Sequence, residues 1–392
     1  MKKIILTAAL CCATASLLHA QTGSIDSVLK SIEQHNKELK AGAEEVKAGK
    51  LDLKAENNPG DLSASYTRKF ATQGGEPEIE FDVTQGFDFP TLYAQRKAYS
   101  RLQGRTLNMQ QAVLRRDILL RAKELCLDLI RLNQLNALLQ QRLNNAQEIN
   151  ALYEKRYKTG DANILEWNKV KLELMNMRTA CAENQAAHRT ALQELLALNG
   201  NMPLEFADTL YPTLPALKSY DEVRDEVMGS DWQLRTAQAG TEAARKLVTV
   251  NRHGWLPKLE AGYAREGSHV TMTNGFIVGV SLPLLSNRHK VKAAKARQMS
   301  AELKQEQTAL QVDAQTQALY HEAQRLDESI RTYDAKLMEN TLQALAKAVK
   351  AGQLSVLTYY TEAEAIYTNQ EKLIDLENRY QKVMAQLYKN SL

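Results

Sequence analysis

The sequence predicts a mainly α protein with a small β part, built as a tandem duplication, and three observations carry that reading. All eight prolines fall in three clusters: Pro59, Pro77 and Pro90, then Pro203, Pro212 and Pro215, then Pro257 and Pro283. Proline lacks the N–H that a helix interior needs and clashes with the preceding turn. Residues 91–202 and 284–392 contain none and are free to be helical almost throughout. The first and third clusters lie about 195 residues apart, half of a 392-residue chain, and each brackets short alternating segments.

Residues 1–20 read as a secretory leader. Lys2 and Lys3 form the charged start, Ile4 to Leu18 the apolar run, and Leu18-His19-Ala20 a cleavage site before Gln21. Cys11 and Cys12 raise the question of lipidation, but neither follows the small residue that a lipidated cysteine needs, so plain cleavage is favoured. Beyond the leader no apolar stretch approaches the ~20 residues of a membrane-spanning helix. A formal charge of +4, falling by two once Lys2 and Lys3 leave, is too small to indicate a nucleic-acid partner. Cys126 and Cys181 remain, ~15 Å apart along a helical hairpin at 1.5 Å per residue, too far for a disulfide.

In each half, two strand-like segments precede a long helical run. A first hairpin spans 61–89, turning at Gly74-Gly75-Glu76-Pro77, and a second spans 258–282, turning after Glu266-Gly267-Ser268. They end in related phrases, Gly86-Phe87-Asp88-Phe89-Pro90 and Gly279-Val280-Ser281-Leu282-Pro283. Each proline opens a helix, expected over 91–157 and 284–349. Along the first, Ile118, Ala122, Leu125, Leu129, Leu132, Leu135, Leu139, Leu143, Ala146, Ile149 and Leu152 recur with a mean spacing near 3.4, the period of a coiled coil. Such a run is about 100 Å long, so the molecule is elongated.

Both runs end at a related motif. Tyr157-Lys158-Thr159-Gly160-Asp161 matches Val349-Lys350-Ala351-Gly352-Gln353 at an offset of 192, and each glycine reads as a tight reversal. Return helices are expected over 161–199 and 353–391. They are shorter than their partners, and helical segments 38–57 and 232–253 make up the length by stacking end to end with them. Residues 200–218 then form an equatorial connector between a first repeat, 21–200, and a second, 219–392.

The strands point to a membrane. Ile79, Phe81 and Val83 alternate with Glu78, Glu80, Asp82 and Thr84, and Phe276, Val278 and Val280 alternate with Ile277, Gly279 and Ser281. Apolar-out, polar-in strands of ~10 residues are what a transmembrane barrel requires. Four strands cannot close a barrel and open edges are not viable in lipid, so several chains must contribute. These spacings leave the number of chains open.

At this point the residues carry a family likeness. The duplication, the hairpins ending in Pro90 and Pro283, the reversals at Gly160 and Gly352 and the phrase Leu256-Pro257-Lys258-Leu259 resemble TolC-type outer-membrane efflux proteins, from about residue 24 to the C-terminus. The resemblance implies a homotrimer in which four strands per chain build a twelve-stranded barrel, continued by a trimeric α-barrel. It implies an outer-membrane location in a Gram-negative bacterium, with a large periplasmic part. It also implies partners, a periplasmic adaptor (membrane fusion protein) and an inner-membrane transporter, which pass substrates to the duct. The tip residues Tyr157, Lys158, Thr159, Gly160, Asp161, Lys350, Ala351, Gly352 and Gln353 become the expected docking surface. Family members often carry an aspartate six residues after the reversal glycine. Here those positions are Glu166 and Thr358, so the expected gate is Glu166, with Tyr359 and Glu362 nearby. An outward Glu166 with Trp167 turned inward is the competing arrangement.

Nothing in the chain points to catalysis. No two histidines stand at i, i+3 or i+4, no Cys-x-x-Cys exists, and no phosphate-binding loop or nucleophile elbow is present. No cofactor, metal site or enzymatic activity is expected. The expected function is an exit duct for efflux or secretion. The alternative is a secreted or periplasmic coiled-coil structural or adhesive protein, which would share the heptads but not the paired alternating strands.

Overall fold

The computed structural model describes residues 25–70 and 76–392, so the leader, Cys11, Cys12 and the Gly74-Gly75 turn lie outside the described residues. Two helices, α1 (Ile25–His35) and α2 (Lys37–Ala55), lead into strands β1 (Leu62–Lys69) and β2 (Glu78–Phe87). A long helix α3 (Pro90–Thr159) descends and α4 (Ile164–Leu198) returns. The pattern repeats with α5 (Tyr220–Ser230), α6 (Trp232–His253), β3 (Lys258–Gly267) and β4 (Met272–Ser281). It ends with α7 (Lys290–Arg331), α8 (Ala335–Lys350) and α9 (Val356–Leu387).

α3 runs unbroken for 70 residues because Pro90 stands where a missing N–H costs nothing and its one internal glycine, Gly104, is covered by Lys50 of α2. The second half differs from the expected single helix over 284–349. Residues 284–289 form turns, so Pro283 does not open the helix, and a break at residues 332–334 separates α7 from α8. The cause is local hydrogen bonding. Ser329 and Thr332 hydroxyls bond back to the Arg325 and Ser329 carbonyls, and the Asp334 carboxylate accepts from the Leu337 N–H at 2.9 Å, starting a new helix. α1 and α5, which the apolar periodicity did not reveal, precede the expected helices and add a turn-separated step to each half.

The four strands form one antiparallel sheet in the order β1-β2-β3-β4, with β1 and β4 as edges. Its register lines up the alternation across the strands, with Arg68, Arg265 and Asn274 as polar exceptions toward the turn end of the apolar face. Ala64, Val83, Tyr263 and Phe276 stand in one cross-strand row, and Ser65, Asp82, Ala264 and Gly275 in the next. The apolar face is the open one, with Phe276 90% and Val278 86% exposed. On β3 and β4 the polar face is the more covered, and a Cβ on its Gly262 would lie 2.5 Å from the Val83 carbonyl. The sheet therefore curves toward its polar side. All four helices that adjoin it leave from the same edge. Among the described residues no helix is long and apolar enough to cross a membrane.

The middle of the rod is locked by polar contacts. Asn36 and Asp231 separate the paired short helices of the two halves and cap α2 and α6, accepting from the Leu39 N–H and from the Gln233 and Leu234 N–H groups. Each also grips the end of a return helix: the Asn36 amide donates to the Leu198 carbonyl, and the Asn390 amide donates to Asp231. Residues 200–218 run across this level, with Phe206 in the core and carbonyls 208, 209 and 212 accepting from Asn133, Gln134 and Gln381. Arg115 bonds both Glu33, near the end of α1, and the Leu392 carbonyl, bringing the C-terminus to the level where α1 ends and α2 begins. Cys126 and Cys181 are buried free thiols, and burial pushes the Cys126 thiol up to about 12.

Arg116 and Asp231 are 2% and 1% exposed and 3.7 Å apart. Removing one partner of a buried pair strands the other charge, at about 3–5 kcal/mol. Arg116→Ala should therefore lower the melting temperature sharply, whereas exposed Arg325→Ala on α7 should not. Thermal unfolding followed by circular dichroism checks this.

Candidate functional site

Both reversals lie at the end of the rod remote from the sheet. Gly160 and Gly352 have φ of 83° and 74°, the left-handed region that favours glycine. The two turns are copies. The Asp161 N–H donates to the Arg156 carbonyl at 2.7 Å and the Gly160 N–H to that of Tyr157 at 3.2 Å. The Gln353 N–H donates to the Ala348 carbonyl at 3.0 Å and the Gly352 N–H to that of Val349 at 3.2 Å. This is the double bond by which a helix satisfies its last carbonyls and reverses.

The turns stand side by side and are clamped across. The Arg156 guanidinium reaches the Lys350 carbonyl at 3.4 Å, and the Lys350 ammonium pairs with Glu148 of α3 at 2.5 Å. Tyr157, Lys158, Thr159, Gly160, Asp161, Lys350, Ala351, Gly352 and Gln353 are all exposed, so the structure brings the expected tip residues into one surface. Lys158 pairs with Glu154, and the Thr159 hydroxyl donates to Asp161 at 2.6 Å.

Beneath that surface lies an apolar layer of Ile149, Tyr153, Val170, Val349, Val356, Tyr359, Tyr360 and Tyr367. Tyr359 is 2% exposed and stacks edge-on against Tyr360, its phenol held far above its usual range by burial. It packs the tip within one chain, among Val356, Tyr360 and Tyr367. Glu362 is exposed. Glu166 forms a capping box with Asn163. The Glu166 N–H donates to the Asn163 side chain at 2.9 Å and the Glu166 carboxylate accepts the Asn163 N–H at 3.1 Å. Trp167 is half-buried, stacked on Tyr157 at 4.5 Å with the Lys171 ammonium 3.4 Å over its ring.

Sequence reasoning missed Arg142. It is 6% exposed and holds three helices together, bonding Glu364 at 2.8 Å and Glu371 at 2.7 Å on α9, with Glu173 of α4 3.9 Å away. Its guanidinium lies 4.2 Å over the Tyr367 ring. Burial raises the Glu173 carboxyl above its usual range, and Arg142 partly opposes that shift. A signal was present: Arg142 stands three residues after Leu139 and four before Ala146, at an inward position of the apolar repeat. Among the described residues, no group of three or more histidine, cysteine, aspartate or glutamate side chains could hold a metal ion.

Residues 223–390 match the family described as outer membrane efflux protein. The whole fold is similar to that of CusC, a former of transmembrane channels, with a TM-score of 0.79, 17% identity, and 93% of this chain and 91% of that one covered. It is similar to the Campylobacter jejuni CmeC outer membrane channel, with a TM-score of 0.76, 14% identity and coverage of 93% and 85%. It is also similar to the Vibrio cholerae outer membrane protein VceC, with a TM-score of 0.75, 16% identity and coverage of 93% and 95%. No curated protein matches the sequence at a significant level.

At Gly160 nothing lies within 4 Å of an added Cβ, so the backbone alone limits substitution. Gly160→Val should cost about 1–3 kcal/mol of local stability, and Gly160→Asn much less, because asparagine tolerates the left-handed region. Hydrogen exchange at the tip, faster in the valine variant and near parental in the asparagine variant, checks this.

Proposed function

We infer that this chain, an outer-membrane efflux protein in fold throughout and in sequence over residues 223–390, is one protomer of a trimeric exit duct. The curved sheet with two open edges is the observation that carries the reading. In hydrocarbon every unpaired backbone group costs several kcal/mol, so a sheet of this kind is stable only when its edges pair with further strands. Three copies make a closed, even-stranded antiparallel barrel with Ile79, Phe81, Val83, Phe276, Val278 and Val280 toward lipid and the acidic alternates toward the lumen. The helices support the same assembly. Leu165, Leu172 and Met175 on α4, and Met299, Leu303 and Leu310 on α7, form exposed apolar stripes at heptad-like spacing. Each stripe supplies one side of a seam between protomers.

The helical rod then continues the duct on the periplasmic side of a Gram-negative outer membrane, with the reversals farthest from the barrel. There the exposed tip docks a periplasmic adaptor, which joins the duct to an inner-membrane transporter. The chain's part is passive conduction, and no catalytic role is assigned to it. A coiled-coil structural or adhesive protein would have no use for a sheet that is apolar on its open face.

Phe81→Arg places a charge on the lipid face at about 2–4 kcal/mol. Heat-resistant oligomers in outer-membrane fractions should disappear with Phe81→Arg and persist with Glu80→Gln. A soluble monomer in the parent would reject the duct. Photocrosslinks from Thr159 and Ala351 should capture a periplasmic adaptor, and crosslinks to surface components alone would reverse the orientation.

Glu166, at the first turn of α4, supplies one carboxylate per protomer near the narrow end, and three together attract cations. Glutamine serves equally in a capping box, so Glu166→Gln removes the charge while keeping the cap. In planar bilayers it should alter cation selectivity and block without changing trimer stability. Parental conductance and block would exclude Glu166 from the pore.

A further inference from the structure

Beside the end of α2, which mixes Lys50 and Lys54 with Asp52 and Glu56, three further segments adjoin the helix-side end of the sheet: residues 91–105, 243–259 and 282–301. They contain four, four and five Lys or Arg residues and not one Asp or Glu. The sheet differs in sign, since its polar face carries Glu78, Glu80, Asp82, Glu260 and Glu266 against Lys69 and Lys258. Helix stability does not explain the cations of the three segments. Lys290 and Lys292 open α7, where the helix dipole disfavours positive charge.

Their side of the rod follows from packing. α2 lies against Gly104, Leu107 and Leu114 of α3, and α6 lies against Gln95 and Thr106. At 100° per residue these flanks are roughly 120° apart on one side and wider apart on the other. In a closed ring of helices the wider arc is the outer face. Exposed Lys97 and Arg101 lie in that wider arc, beside Arg105. The pairs Arg105–Glu242 at 3.7 Å and Arg245–Glu302 at 2.9 Å carry the outer face on to α6 and α7. Arg252, seven residues after Arg245, and Lys295, seven before Glu302, share it and are exposed.

Lys97 lies about 10 Å below Pro90, and Arg252 stands in the last turn of α6, six residues before β3 begins. The headgroup zone is about 5–8 Å deep on each side of a bilayer, within reach of long basic side chains. Trp255, Leu284 and Leu285 are exposed on the sheet side of these cations, the place of an interfacial apolar belt. Lys50, Lys54, Lys97, Arg101 and Arg105 also line an open groove of about 420 Å³ between α2 and α3.

We propose that this basic collar binds the phosphates of anionic phospholipid headgroups in the leaflet that meets the helix-side edge of the barrel. The inference rests on the barrel spanning the outer membrane. It goes beyond that reading by assigning the collar a lipid class and fixing the depth at which the duct sits.

The test uses the detergent-purified trimer, titrated with phosphatidylglycerol or phosphatidylcholine and followed by native mass spectrometry. Phosphatidylglycerol should be retained at least tenfold better, and raising the salt should erase the preference. A variant carrying Lys97→Gln, Arg101→Gln, Arg252→Gln, Lys292→Gln and Lys295→Gln should lose the preference while remaining a heat-resistant trimer in outer-membrane fractions. Equal retention of both lipids by the parent, a preference insensitive to salt, or an unchanged preference in the variant would overturn the proposal. So would retention of acidic cell-wall fragments in place of lipid. The salt titration on the parent decides the matter if the variant does not assemble. A parent absent from outer-membrane fractions would instead reject the duct itself.

Discussion

An amide or carbonyl in hydrocarbon has no water to bond, and in the duct proposed above that constraint organises the rest of the molecule. A sheet with β1 and β4 as open edges is incomplete as a membrane-spanning unit. In that proposal copies of the same chain complete it around a common axis, because each copy offers the edge that the next one needs. Once the strands share an axis, the helices that leave their common edge share it too. The two long helical paths must then lie side by side as staves of one tube. The exposed apolar stripes on α4 and α7 are the expected consequence.

The duplication solves a length problem within this plan. A return helix is shorter than the helix it pairs with, so α1 with α2, and α5 with α6, fill the space above α4 and α9. Stacked helix ends expose orphan amides and carbonyls at mid-height. Asn36 and Asp231 meet that need twice over, each capping the helix that follows and tying it to the end of a return helix. At Asp231 the knot gains a buried arginine from the first half, Arg116 of α3.

The two halves are not equivalent in their descending paths. α3 is continuous and buries Arg142 among carboxylates of α4 and α9. The residue 192 positions later is Asp334, which ends the break and caps α8. Charge that knits helices together in one half thus interrupts a helix in the other. Both arrangements place polar chemistry at the same height in the rod.

Much of this protein was legible in its residues because the signals were local and repeated. Proline exclusion set where long helices run, period-two alternation set which strand face is apolar, and glycine marked the reversals that have positive φ. The break at residues 332–334 was not visible, because neither proline nor glycine marks it and Ser329, Thr332 and Asp334 are each compatible with helix. Arg142 was hidden in an apolar repeat because its burial depends on acids more than 200 residues away. Tyr359 and Glu166 looked alike as residues near a turn. Only packing separated them, by enclosing one in the tip core and leaving the other to cap a helix. The sequence by itself determined the periods, the turns and the incompleteness of the sheet, since these follow from each residue's own backbone and polarity. Register, curvature and the meeting of distant charges were decided by the tertiary structure, because they depend on which surfaces the folded chain brings into contact.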